Sequence, residues 1–79
     1  MEKTDLLQMA AERQGIFISD MRYVPAYNKR ALNFLSKLKM EDYPLPVWED
    51  ALGYLANKAI RFPDYVSIKH YIVYQINHM

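Results

Sequence analysis

Four prolines cut the chain into stretches of helical length: Pro25, the closely spaced Pro44 and Pro46, and Pro63. Proline has no N–H to donate and disfavours helical backbone in the residue before it, so helices end ahead of it and begin at it. Pro25 suits the first turn of a helix, where the missing N–H has no bond to lose. Tyr43-Pro44-Leu45-Pro46 is the strongest break, and Pro46 opens a further helix with Glu49 and Asp50 in its first turn. Pro63-Asp64 reads as a turn followed by a helix cap.

Between these breaks the apolar spacing is helical. Thr4 and Asp5 form a helix start, a capping oxygen followed by an acid that favours the helix dipole. Leu6, Leu7, Ala10 and Ala11 follow at helical intervals, and Gly15 supplies a stop. Ile16-Phe17-Ile18 is too short to assign by periodicity. It reads as an extended connector whose side chains plug the core, with Ser19 or Asp20 capping a new turn.

In the helix from Pro25, Tyr27, Ala31, Phe34, Leu35 and Leu38 share a face, and Lys29, Arg30, Asn33 and Lys37 lie off it. In the helix from Pro46, the apolar face runs through Trp48, Ala51, Leu52, Leu55, Ala59 and Phe62. Gly53 falls mid-helix, where it costs about 1 kcal/mol relative to Ala. It shares a second side with Ala56 and Ile60, which suggests close approach of another helix.

Tyr65 to Met79 supports two readings. As a helix, Tyr65, Ile68, Ile72, Ile76 and Met79 share a face; as a strand, Val66, Ile68, Ile72, Tyr74 and Ile76 alternate. Val, Ile and Tyr content favours strand, and length favours helix. The fold expected is all-α, one helical domain over 1–79 built as a bundle of three to four helices. The alternative is an α+β fold with a two-stranded sheet from residues near 16–18 and 66–76.

A chain of 79 residues without cysteine has no disulfide or thiolate metal site to staple it. It must rely on efficient helix packing or on another chain. Its 52% apolar content, above the usual ~45–50%, argues against disorder and hints at apolar surface covered by a partner. The charged opening Met-Glu-Lys-Thr-Asp is not that of a signal peptide, and no apolar run approaches the ~18 residues of a membrane span. The expected location is the cytoplasm.

Charge is unevenly placed although the net value is only +1. From Met21 to Met40 there is no acid, while Arg22, Lys29, Arg30, Lys37 and Lys39 are all cationic. Arg22, Tyr23, Lys29, Arg30 and Lys37 are therefore a candidate basic and aromatic binding surface, since nucleic-acid binders pair cations for phosphate with aromatics for stacking. A solvated helix face, with the C-terminal lysines favouring the helix dipole, accounts for the same residues.

Catalytic and metal signatures are weak. His70 and His78 are eight apart rather than the four of a helical zinc pair. Ser67 and His70 are neighbours on a helix, with nothing to orient the imidazole. Two glycines cannot build a phosphate-cradling loop. Ala51–Tyr71 stretches into a helix-turn-helix only with an overlong turn containing Pro63. No cofactor and no metal ion are expected.

Tyr23, Tyr43, Tyr54, Tyr71 and Tyr74 are too many for so small a core, and tyrosine is a common interface anchor. Gly53, Tyr54, Ile60, Val66, Val73 and Tyr74 form the candidate interface. Gly15–Leu55, through Gly15-Ile16-Phe17-Ile18, Arg22 and two amphipathic helices, resembles in outline small three-helix proteins of Gram-positive bacteria. That resemblance implies a helical fold and single-stranded nucleic acid as a ligand, and it names no family and transfers no residue.

The function expected is that of a small non-enzymatic protein acting by protein–protein contact, a bacterial or phage regulator or adaptor. Its expected partner is another protein, including a second copy in a homodimer. Nucleic-acid binding through residues 22–39 is the alternative, and no membrane association is expected.

Overall fold

In the computed structural model, which describes residues 5–78, five α-helices and one short 3-10 turn follow the proline punctuation. They are α1 (Leu6–Gln14), α2 (Ile18–Tyr23), α3 (Pro25–Ser36), the 3-10 turn Met40–Asp42, α4 (Leu45–Ala56) and α5 (Tyr65–Asn77). Among the described residues there is no strand, so the sheet alternative falls and the all-α reading stands with one helix more than expected.

The extra helix is α2. Its start lies at Ile18, inside the segment expected to be extended, because Asp20 at the third helical position accepts from the Phe17 N–H at 3.2 Å. That bond satisfies an otherwise orphaned amide, half of a capping box. The cost falls on Phe17, which is 79% exposed instead of plugging the core, while Ile16 and Ile18 are half-buried against it.

Local chemistry explains the other boundaries. Asp5 is the cap of α1, its Oδ1 accepting from Leu7 and Gln8 N–H at 3.0 and 3.1 Å; the expected contribution of Thr4 lies outside the described residues. Gly15 ends α1 at φ 69°, a left-handed backbone that only glycine adopts without steric cost. Val24 is extended ahead of Pro25, which begins α3. Asp64 caps α5 through the Ser67 N–H at 2.8 Å. The Met79 position on the α5 face is outside the described residues.

α4 ends at Ala56, six residues before the expected Phe62. Asn57 adopts φ 58°, and the Lys58 N–H donates back to the Gly53 carbonyl at 3.0 Å. This turns the chain away, so Ala59 is exposed and Phe62 reaches the core from a linker. Glu49 holds that linker by accepting the Phe62 N–H at 2.8 Å.

Trp48 is the centre of the core, fully buried with Leu6, Met21, Leu35, Leu52, Ile68 and Ile72. Its indole N–H donates to the Met40 carbonyl at 3.0 Å, and Tyr43 meets the ring edge-on at 6.0 Å. The 3-10 turn is thus tied to α4 through one side chain. α3 packs on α1, α2 and α5, while α4 packs on α1 and α2. Asn28 joins α3 to α4 by donating to the Leu55 carbonyl at 3.0 Å.

Candidate functional site

The two candidate surfaces take different forms in three dimensions. On α3, at roughly 100° per residue, Lys29, Asn33, Lys37 and Arg30 fall within one arc of about 100°. All four are exposed, and Ala31, Leu32 and Leu35 occupy the opposite, buried side. The basic face is therefore a real stripe along α3, with exposed Tyr23 just ahead of its first turn.

Arg22 is not part of that stripe. Its guanidinium stacks over Tyr54 at 4.7 Å and lies 5.7 Å from the Tyr23 ring, and it donates to the Asn57 side chain. It bridges α2 to the left-handed end of α4. Of the five cations of the acid-free segment, Arg22 is thus engaged apart from the α3 stripe. A groove of about 320 Å³ lies between α4 and its linker, bounded by Glu49, Asp50, Gly53, Lys58, Ile60 and Arg61. A smaller one of about 50 Å³ sits by Asn28, Leu52, Tyr71 and Gln75.

The candidate interface residues divide in the same way. Gly53 faces its own chain: a Cβ there would stand 2.9 Å from the Lys58 carbonyl oxygen. The returning linker, not another helix, is the reason for a glycine. Tyr54 is half-buried beneath Arg22, and Ile60 is half-buried on the linker. Val66, Val73 and Tyr74 remain open, at 63%, 41% and 56% exposure, on the outer side of α5. The five tyrosines sort likewise, with Tyr43, Tyr54 and Tyr71 packed against the core and Tyr23 and Tyr74 exposed.

α5 has this open side because its inner stripe is narrow, Ile68 and Ile72 alone being fully buried. Val66 and Val73, seven residues apart, share a face with His70 and Asn77 between and beyond them. Tyr74 borders it, one ring face stacked on His78 at 3.9 Å. At the other border Lys69 donates to the Ser36 carbonyl at 2.6 Å, placing a cation on the negative end of α3. Spacing alone does not reveal that contact, which links positions 33 residues apart.

Two ionisable groups on and beside α5 are shifted. The Asp64 carboxyl is held below its ordinary value by the Ser67 N–H, then the Ser67 hydroxyl, with a smaller contribution from His70. Burial pushes the Tyr71 phenol up, its ring packed edge-on against Phe62 at 5.5 Å. Among the described residues no group of three or more His, Cys, Asp or Glu is placed to hold a metal ion, and no helix is long and apolar enough to cross a membrane. The 57–64 connection between α4 and α5 is far longer than the turn of a helix-turn-helix. No protein-family model, curated protein or solved structure matches this chain.

Proposed function

We propose that this chain is a non-enzymatic protein-binding module, a small adaptor or regulator, that engages its partner through the outer face of α5. The observation that carries the reading is the exposure of Val66, Val73 and Tyr74 together on one helix. Apolar and aromatic side chains gathered on a rigid element are typical anchors of protein interfaces, whereas single exposed ones are ordinary. Among the described residues, half of the exposed large hydrophobic side chains, three of six, lie on this helix. The alternative, nucleic-acid binding, draws on the α3 stripe and exposed Tyr23, and is weakened by the diversion of Arg22 to Tyr54 and Asn57.

Affinity capture with the intact chain and with a Val66→Asp/Val73→Asp variant tests the reading. Proteins retained by the first and lost by the second support it. Sedimentation at tens of micromolar distinguishes a second copy from a different partner, against the chain mass of 9.4 kDa. Micromolar binding of a short oligonucleotide at physiological salt, abolished by Lys29→Glu/Arg30→Glu/Lys37→Glu, overturns it in favour of nucleic acid.

A further inference from the structure

The α5 face adjoins the helix that carries the α3 stripe. The Lys69–Ser36 bond fixes the border: Lys69 neighbours Val66 and Val73 on α5, and Ser36 neighbours the Lys29–Asn33–Lys37 row on α3. Passing outward from α5 across Lys69, the surface reaches the Ser36 end of α3, the helix whose exposed side carries Lys29 and Arg30, with Lys37 just past its end. Glu41 and Asp42 are also exposed, on the 3-10 turn that packs on α5.

We infer that the occupant of this surface is an acidic amphipathic helix of another protein, with its apolar side on Val66, Val73 and Tyr74 and its carboxylates toward Lys69, Lys29 and Lys37. The inference rests on the protein-binding reading above and specifies the partner's chemistry. Charge complementarity decides between occupants. A second copy docked antiparallel on α5 about a twofold axis would bring its own Lys69 and α3 cations to the same side, where like charges repel. Nucleic acid would use the cations and leave Val66 and Val73 without apolar cover.

Selection from a displayed library of helical peptides, run against the folded full chain, tests this. Enriched peptides are expected to carry apolar residues at three- and four-residue intervals and a clear excess of Asp and Glu over the unselected library. Val66→Asp or Val73→Asp should weaken their binding at least tenfold, and Lys29→Glu/Lys37→Glu should weaken it several-fold, more at low salt than at high. Unchanged circular dichroism and melting temperature in each variant exclude unfolding as the cause. Enrichment that Val73→Asp abolishes but that shows no acidic bias overturns this inference and leaves the α5 reading standing. Enrichment insensitive to both α5 variants, or no enrichment at all, overturns both. A mass near twice 9.4 kDa that Val73→Asp returns to one chain overturns the inference in favour of self-association.

Discussion

α4 and α5 are nearly equal in length and both are rich in apolar side chains, yet they serve opposite ends. α4 buries Trp48, Ala51, Leu52 and Leu55, and even its glycine is closed over by the Lys58 carbonyl. α5 buries Ile68 and Ile72 and turns Val66, Val73 and Tyr74 outward. Apolar content therefore does not decide whether a helix is core or surface. What decides is how many neighbours reach it. α4 is closed in by α1, α2, the 3-10 turn through Trp48 and its own linker, whereas α5 packs its inner side on α3, the 3-10 turn and Phe62 of the linker and leaves Val66, Val73 and Tyr74 exposed.

The contrast yields a graded set of expected outcomes. Trp48→Ala should destabilise by about 3–5 kcal/mol, since it empties a fully buried aromatic site and removes the shorter of two hydrogen bonds to the Met40 carbonyl, leaving that from the Tyr43 N–H. In a domain of this size that is enough to prevent folding, visible as loss of the helical circular dichroism signal. Ile72→Ala, on the buried stripe of α5, should cost about 2–5 kcal/mol by denaturant titration. A cost near zero there would mean that α5 is not docked as described.

Gly53→Ala probes the closed side of α4. An exposed helical glycine gains about 1 kcal/mol on becoming alanine, but here the new methyl meets a backbone carbonyl at 2.9 Å. Net destabilisation of about 1–2 kcal/mol is expected from the overpacking, read as a lower urea midpoint. A stabilised variant would show that the linker yields easily and that α4 is less enclosed than its contacts imply.

Tyr71 gives a pH-dependent test on the inner flank of α5. Burial raises its pKa from the ordinary 10.0, so the folded state favours the protonated phenol. Its contribution is complete below pH 10.0 and is lost as pH rises past that value through the folded pKa. Melting temperatures between pH 9 and 11.5 should therefore fall more steeply for the natural chain than for Tyr71→Phe. Equal slopes would show that the phenol titrates as if in water.

The smallest stability effect belongs to the open face. Val66→Asp and Val73→Asp should each change stability by no more than about 0.5 kcal/mol, as exposed substitutions usually do. A loss comparable with Ile72→Ala would abolish the distinction between the two sides of α5.

Much of the helix punctuation was legible because it depends on neighbours within four residues. Gly15, Pro25 and Asp64 act on adjacent backbone amides, and each marks the boundary its chemistry suggests. Trp48 as a core residue also follows from spacing alone. α2 escaped such reading because six residues carry too little periodicity and its start depends on one Asp20–Phe17 bond. The α4 terminus escaped because an apolar pattern through Phe62 persists whether those residues are helical or folded back against Glu49.

Residue identity fixed the helix boundaries at Gly15, Pro25 and Asp64 and the burial of Trp48, since these follow from local sterics and the period of the helix. Tertiary structure alone decided which cations and which apolar residues stay free. Arg22 is drawn away by Tyr54 and Asn57, Lys69 is drawn to Ser36, and Gly53 is closed by Lys58. Two of these depend on contacts between segments more than 30 residues apart, and the third on a backbone reversal at Asn57. Such contacts depend on how whole helices pack, which the spacing within any one of them does not encode.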